Sequence, residues 1–370
     1  MTFPSGVLKS PRSRHLLAIA GGAAIVVAVA AATASVVPYS SSTLRNRAIR
    51  SLTEGFDGEV EISDLHLHLF PTFRIEGINL TIRHRQRVDV PPLITIRHFQ
   101  VQASLRGLLR KHVTRMTIDG LDIEIPPKTI RPIDREAPET PTRQDWSWHV
   151  FPAVTIDELT STDVRLAIIP ERSDQLPKVW AIHTLHMQSV GFQTASRFAA
   201  TLANAVPPGE ITTTGTFGPW QRDDPGQTPL SGSFVFDRAN LSVFKGISGF
   251  LHAQGTFDGS LSRIETVGDA DIPDFTVSVS GHPVRLHTGF RAVVDGTNGE
   301  TELRRIDASF LHSALTAAGR VVDTHTPGRR GRTVFLDITM NQARLEDILH
   351  LVVDTPMPPL AGSVALATRH

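Results

Sequence analysis

The sequence contains no cysteine. Disulfides, thiolate metal sites and thiol nucleophiles are thereby excluded together, and cysteine usage leaves the redox compartment undecided. Aromatic residues are only 6%, with a single Tyr. Excess charge of either sign is also missing, because 37 Lys and Arg balance 37 Asp and Glu. A nucleic-acid binder ordinarily shows a basic excess or a stacking platform with basic flanks, so no nucleic-acid partner is expected. The chain further lacks a GxSxG elbow, a GxxxxGK[ST] loop, a GxGxxG turn after a strand and an HExxH pair. No catalytic residue, metal or cofactor is assigned, and the chain is not read as an enzyme. Proline and glycine are plentiful, at 25 and 27 residues, which suits many turns and few long helices.

Long apolar runs are absent with one exception. LLAIAGGAAIVVAVAAATASVVP, Leu16 to Pro38, carries no charge over 23 residues. At 1.5 Å per residue this crosses a hydrocarbon layer as a helix. Ala32-Thr33-Ala34 resembles a signal cleavage site, but a signal h-region runs only about 7–15 residues. An uncleaved anchor over 16–38 is therefore expected. Lys9, Arg12 and Arg14 before it tie with Arg45, Arg47 and Arg50 after it. The short tail, 1–15, then favours a cytoplasmic N-terminus, with the bulk of the chain periplasmic.

After the anchor, SSSTLRNRAIRSLTEGF has Leu44, Ala48, Ile49, Leu52 and Phe56 at helical spacing, and a Ser/Thr cluster to cap them. This short helix either seats the first strand or lays Arg45, Arg47 and Arg50 on lipid phosphates. From Phe56 to Ile82, FDGEVEISDLHLHLFPTFRIEGINLTI alternates apolar and polar residues, as strands with one wet and one greasy face do.

A unit Ile-x-x-apolar recurs as Ile62…Leu65, Ile75…Ile78, Ile96…Phe99, Ile118…Leu121, Ile156…Leu159 and Ile182…Leu185. Residues three apart in a regular strand face opposite sides. Both apolar residues share a side only if an extra residue is inserted, as in a β-bulge, or if a turn intervenes; both options stay open.

The pattern stops between Pro126 and Pro152, which reads as a proline-rich loop or linker with Trp146 and Trp148 as anchors. Strands resume at Val164-Leu166-Ile168, Phe234-Phe236, Val277-Val279 and Val334-Leu336-Ile338. Asp258-Gly259, Asp295-Gly296 and Asn298-Gly299 give hairpin signals. Met340–Val353 reads as a helix capped by Asn341, and Gly362–His370 as the start of a further strand. Three units follow: 39–125 (helix and first β-unit), 126–152 (linker) and 153–370 (continuing β-repeats). His66, His68 and His84, and His183 with His186, read as solvated strand residues rather than ligands. Arg329, Arg330 and Arg332 form a basic loop tip, a second candidate for lipid headgroups.

The anchor, LRNRAIRSLTEGFDGEVEISDLHLHLFPTFRIEGINLTI, PLITIRHFQVQASLRGLLRKHVTRMTIDGLDIEIPP and the later GTFDGSLSRIETVGDADIPDFTVSVSGHPVRLHTGF together resemble AsmA-like proteins. These are related in architecture to TamB and to chorein-type bridge-like lipid transfer proteins. The resemblance covers most of residues 16–370, and residues just after the anchor carry it best. It implies an inner-membrane anchor, an extended, twisted antiparallel β-sheet groove in the periplasm, phospholipid as cargo, a contribution to outer-membrane assembly, and other envelope proteins completing a bridge. The expected lining is Leu65, Leu67, Leu69, Phe73, Ile75, Ile78, Leu80, Ile82, Phe99, Val101, Ile123 and Ile125. At roughly 4.7–4.9 Å per strand, some twenty-odd strands give about 100 Å, short for spanning an envelope alone. The rival is a closed β-sandwich serving as a non-transporting scaffold for envelope proteins.

Overall fold

The computed structural model describes residues 41–56, 58–68, 73–84, 91–104, 106–107, 110–125, 154–168, 178–191, 193–221, 224–296, 299–326, 329–354 and 360–369. The expected anchor at 16–38, the linker at 126–152 and Leu69 lie outside these residues.

Helix α1 (Ser41–Phe56) leads into β1 (Gly58–His68), β2 (Phe73–His84), β3 (Ile94–Ala103) and β4 (His112–Ile125). Then follow β5 (Thr155–Ile168), β6 (Lys178–Val190), β7 (Ser196–Ala205), β8 (Pro208–Phe217) and β9 (Pro229–Asn240). A two-residue β10 (Ile247–Ser248) precedes β11 (Phe250–Ser260), β12 (Arg263–Val277), β13 (Val284–Val294), β14 (Thr301–Phe310) and β15 (Ser313–Thr326). The chain continues with β16 (Arg329–Arg344), α2 (Leu345–Val352) and β17 (Ser363–Arg369).

All seventeen strands belong to one sheet. Their pairing follows sequence order, β9 passing directly to β11 while β10 pairs with β12. No pairing among the described residues joins β17 back to β1, so the sheet is open. Sixteen strands in line give about 70 Å at the usual strand spacing, shorter than the sequence suggests. Every pair is antiparallel except β4–β5, which is parallel, a departure from the all-antiparallel expectation. Parallel neighbours need a long crossover, and residues 126–154 lie between these two. The sheet thus runs unbroken from β4 into β5.

The register explains the Ile-x-x-apolar repeat. Ile62 pairs with Leu80 and Asp64 with Ile78, so Ser63 and Asn79 are passed over. The same omission falls on Asn79 and Arg97, on Arg97 and Gly120, on Gly120 and Asp163, and on Asp163 and His183. Six neighbouring strands therefore carry one extra residue at the same height. Asn79, Gly120 and Asp163 take left-handed backbone there, with φ of 52°, 66° and 53°. Because the insertions match, the register does not slip across β1–β5, and the apolar side chains face inward both before and after the crease. Ile62 and Leu65 are both buried, as are Ile96 with Phe99 and Ile118 with Leu121. Thr114, Asp157 and Ser189 form a shorter second crease across β4–β6.

Two sequence readings need correction. Met340–Arg344 belongs to β16, and α2 starts only at Leu345, with Arg344 rather than Asn341 at its N-cap. Met340 and Ala343 are both buried across an irregularity in the β16–β17 ladder, and that three-residue spacing imitates a helix. Val279 lies in the turn after β12 instead of extending the strand.

Candidate functional site

The first half of the sheet is closed on itself. Leu65, Phe73, Ile75, Leu80, Ile82, Phe99, Val101 and Ile123 are all buried in one cluster, and Leu67 packs against it half-buried. Ala48 and Leu52 of α1 complete that cluster over β1. Phe99 lies so close over Gly77 that a Cβ there would stand 2.1 Å from its ring. These side chains pack against one another, and among the described residues no second sheet covers them. Ile78 departs from the expected lining: it is 41% exposed, opposite Asp64 and His98 on the polar face. The cause is the phase of the crease in β2, which falls at Asn79: Ile75, Gly77 and Leu80 face inward, and Ile78, one residue before the crease, faces outward. The side chain of Ile125 lies outside the described residues.

From β7 onward the inner face changes character. Along β8 exposed and half-exposed residues alternate strictly, with Ile211 and Phe217 on the half-exposed side. The same side carries Leu230, Phe234 and Phe236 in β9, Leu251 and Phe257 in β11, Phe290 in β13, and Leu336 and Ile338 in β16, all half-exposed. Small residues separate the rings. A Cβ on Gly268 would meet the Phe290 ring at 2.9 Å, and one on Gly255 would meet Phe234 at 3.1 Å. Rings laid over glycine keep the trough floor low and let the sheet coil tightly. The result is an apolar strip nine strands long. Among the described residues, only α2 packs on it.

That helix sits over one edge of the strip. Ile348 and Leu351 pack with Phe275, Leu286, Phe310, Leu315, Ile338 and Val364. Asp347, nearly fully buried, accepts hydrogen bonds from Ser313 Oγ (2.7 Å) and the His312 amide (3.0 Å). Ser280 Oγ donates to the Leu351 carbonyl at 2.6 Å, and the His282 ring stacks on His350 at 4.8 Å.

The outer face is mainly polar and cross-linked, with Val235, Val267 and Phe335 exposed among its charged residues. Arg115 and His186 both reach Glu158, holding its carboxyl below the ordinary range, the His186 hydrogen bond contributing most. Arg285 does the same for Asp271 through a two-pronged contact, and Arg305 for Asp307. His66 lies 3.5 Å from Asp64, and His68 3.7 Å from Glu76. No group of His, Asp or Glu able to hold a metal occurs among the described residues. Two concavities, about 960 Å³ beside Arg320 and Phe335 and about 570 Å³ beside Val235 and Val267, mix both signs of charge without a convergent set of groups.

The arginine candidates divide. Arg45 is half-buried and donates to the Ser63 carbonyl at 3.2 Å, so its guanidinium is turned onto the crease at the first strand. Arg50 is exposed. Arg329, Arg330 and Arg332 lie within β16, paired with Thr326, His325 and Asp323, rather than on a loop tip. Their side chains, and that of Arg47, lie outside the described residues.

Sequence reasoning placed the lining in β1–β4, where it is packed shut. The half-exposed strip of β7–β16 was missed, although alternation with glycine, as in GSFVF and AQGTF, was its available signal. No protein-family model, no curated protein and no solved structure matches the chain.

Proposed function

We propose that this chain is a single-pass inner-membrane protein whose periplasmic sheet holds phospholipid by its tails. In this reading it supports phospholipid traffic between the inner and outer membranes, and with it outer-membrane assembly. The observation that carries the reading is the uncovered apolar strip of β7–β16. In a sandwich, a second sheet would bury those rings; here one sheet leaves them half in water. Each CH₂ moved from water onto such a surface contributes about 0.8 kcal/mol. The strip is about 40 Å long at the usual strand spacing, and one leaflet's hydrocarbon is about 15 Å deep. Two tails therefore fit end to end. The likeness of the sequence to AsmA-like proteins points the same way.

Phospholipid is the cargo because the strip is mainly apolar, interrupted by threonines such as Thr213 and Thr288, while charged residues are confined to the outer face and turns, so tails lie inside and headgroups outside. The anchor assigned to 16–38 lies beyond the described residues, among which no helix is long and apolar enough to cross a membrane. The packed interior of β1–β6 favours a second reading for that segment alone, a rigid scaffold that presents the open half to other envelope proteins.

Expression of residues 39–370, followed by solvent extraction and mass spectrometry, tests the proposal. Stoichiometric co-purified phospholipid supports it. A monodisperse protein free of lipid removes it.

A further inference from the structure

Elsewhere on the sheet histidines lie beside carboxylates, as His112 does by Asp157, His186 by Glu158 and His252 by Asp237. His282 and His350 face each other instead, their rings stacked with 4.8 Å between centroids and 18° between planes. Both are half-buried, and neither pairs with a carboxylate among the described residues. They meet where the 278–283 turn holds the last turn of α2. His282 Nδ1 donates to the His350 carbonyl at 3.0 Å, and Ser280 Oγ to the Leu351 carbonyl. Side chains of the sheet thus satisfy carbonyls that a helix end leaves open.

The charges on the surrounding elements are committed elsewhere or lie in water. Glu346, one turn before His350, accepts from the Gly362 amide, and Asp274 of β12 from the Phe250 amide. Arg285 of β13 is clasped by Asp271. Lys245, Arg344 and Asp354 are exposed. A single proton on the pair is favoured by the negative end of the helix dipole. A second sets two like charges face to face with no carboxylate bonded to either ring, and they repel. At the other end of α2 the same charge change acts in the opposite sense. His312 Nδ1 lies 3.7 Å from the buried Asp347 carboxylate, so a charged His312 tightens that attachment.

We propose that the His282–His350 pair is an acid-released latch on α2. The closed latch binds fewer protons than the open one. It is therefore complete in neutral and basic solution and is lost as pH falls through the range in which histidine titrates. The C-terminal end of α2 then lifts, while Asp347 keeps the other end in place. Leu351 leaves the sheet, and Phe275, Leu286 and Phe310 beneath the helix join the open strip. The latch needs no lipid, so it stands whether or not the strip carries phospholipid.

The absence of cysteine allows a single pair of reporters. Val279→Cys and Val352→Cys, both at exposed positions on either side of the latch, carry spin labels in the full chain reconstituted in nanodiscs. Distances between the labels are measured by double electron–electron resonance at about pH 8 and about pH 5.5, which bracket the histidine range. One short distance should dominate at the higher pH, and a longer component should grow at least about threefold at the lower. His350→Phe keeps a stacked ring and the backbone carbonyl, and His282→Gln keeps a donor. Neither can take the second charge, so both should hold the short distance at either pH. His312→Gln should leave the growth in place, and circular dichroism should not change over this range. The same distance distribution at both pH values overturns the proposal. Growth that survives in His350→Phe or His282→Gln, disappears in His312→Gln, or accompanies a loss of strand signal overturns it as well.

Discussion

Arg97 reaches across a whole strand to hydrogen-bond the Asp163 carboxylate. Between them lies Gly120, where a Cβ would stand 1.8 Å from the Arg97 Nε. The three residues sit on the crease, at the height where six strands each insert one residue. There the backbone ladder is interrupted, and the outer face spans the gap with a charged side chain. Gly120 combines two requirements, a left-handed φ and room for the guanidinium.

Gly120→Ala should therefore cost about 1–2 kcal/mol for the backbone alone, and more through displacement of Arg97. In urea unfolding followed by tryptophan fluorescence, the loss should be smaller in an Arg97→Ala background. Equal losses in both backgrounds would show that Arg97 does not use the space over Gly120.

Acid should weaken the outer face. Glu158, Asp271 and Asp307 are held below their ordinary values by His186 with Arg115, by Arg285 and by Arg305. A carboxyl depressed in the fold contributes stability above its unfolded pKa, and that contribution disappears as pH falls through the folded value. Stability should thus decline below the ordinary 4.5 of glutamate, less steeply in high salt because these pairs are exposed. Glu158→Gln should flatten part of that decline; an unchanged acid limb would contradict the role given to the Glu158 contacts.

Charges on the two halves of the inner face should act differently. Leu80→Asp places a carboxylate in a fully packed cluster and should cost more than about 4 kcal/mol, or prevent folding. Phe290→Asp lies on the half-exposed strip, so the chain should fold and hold less phospholipid. Circular dichroism and lipid extraction separate the cases, and equal unfolding by both would mean that the strip is as closed as the core.

Ser161 is buried where the packed half gives way to the open one, opposite Ile118 and Leu185, and its hydroxyl has no partner. An unsatisfied buried hydroxyl costs about 1–3 kcal/mol. Ser161→Ala should raise the melting temperature or leave it unchanged. A clear drop would reveal a hydrogen bond or ligand contact that the hydroxyl makes.

Much of this architecture was legible in the sequence. Alternation gave the strands, helical spacing gave α1, and the Ile-x-x-apolar unit narrowed its explanation to an inserted residue or a turn, between which the register decides for the insertion. The phase of the insertion was not legible in β2, because only the left-handed backbone of Asn79, and not its composition, decides which neighbour turns inward. The start of α2 was hidden because an irregular ladder at Met340 and Ala343 repeats every three residues, as a helix nearly does. The parallel β4–β5 pair depends on a crossover that local patterning does not encode. Above all, Leu80 and Phe290 look alike in sequence, since both alternate with polar neighbours. Whether such a side chain is packed or left half in water is decided by how far the sheet curls, a property of many strands together.

The central claim is that the inner face of β7–β16 touches lipid tails. It is tested most directly by placing the photoreactive benzoylphenylalanine at Phe234, Phe257 or Phe290 of the full chain in cells fed labelled phosphate, with Val235 and Thr256 on the outer face as controls. After irradiation, the account predicts labelled phospholipid joined to the protein from the three inner positions and not from the two outer ones. Labelling that is absent from the inner positions, or equal on both faces, would contradict it.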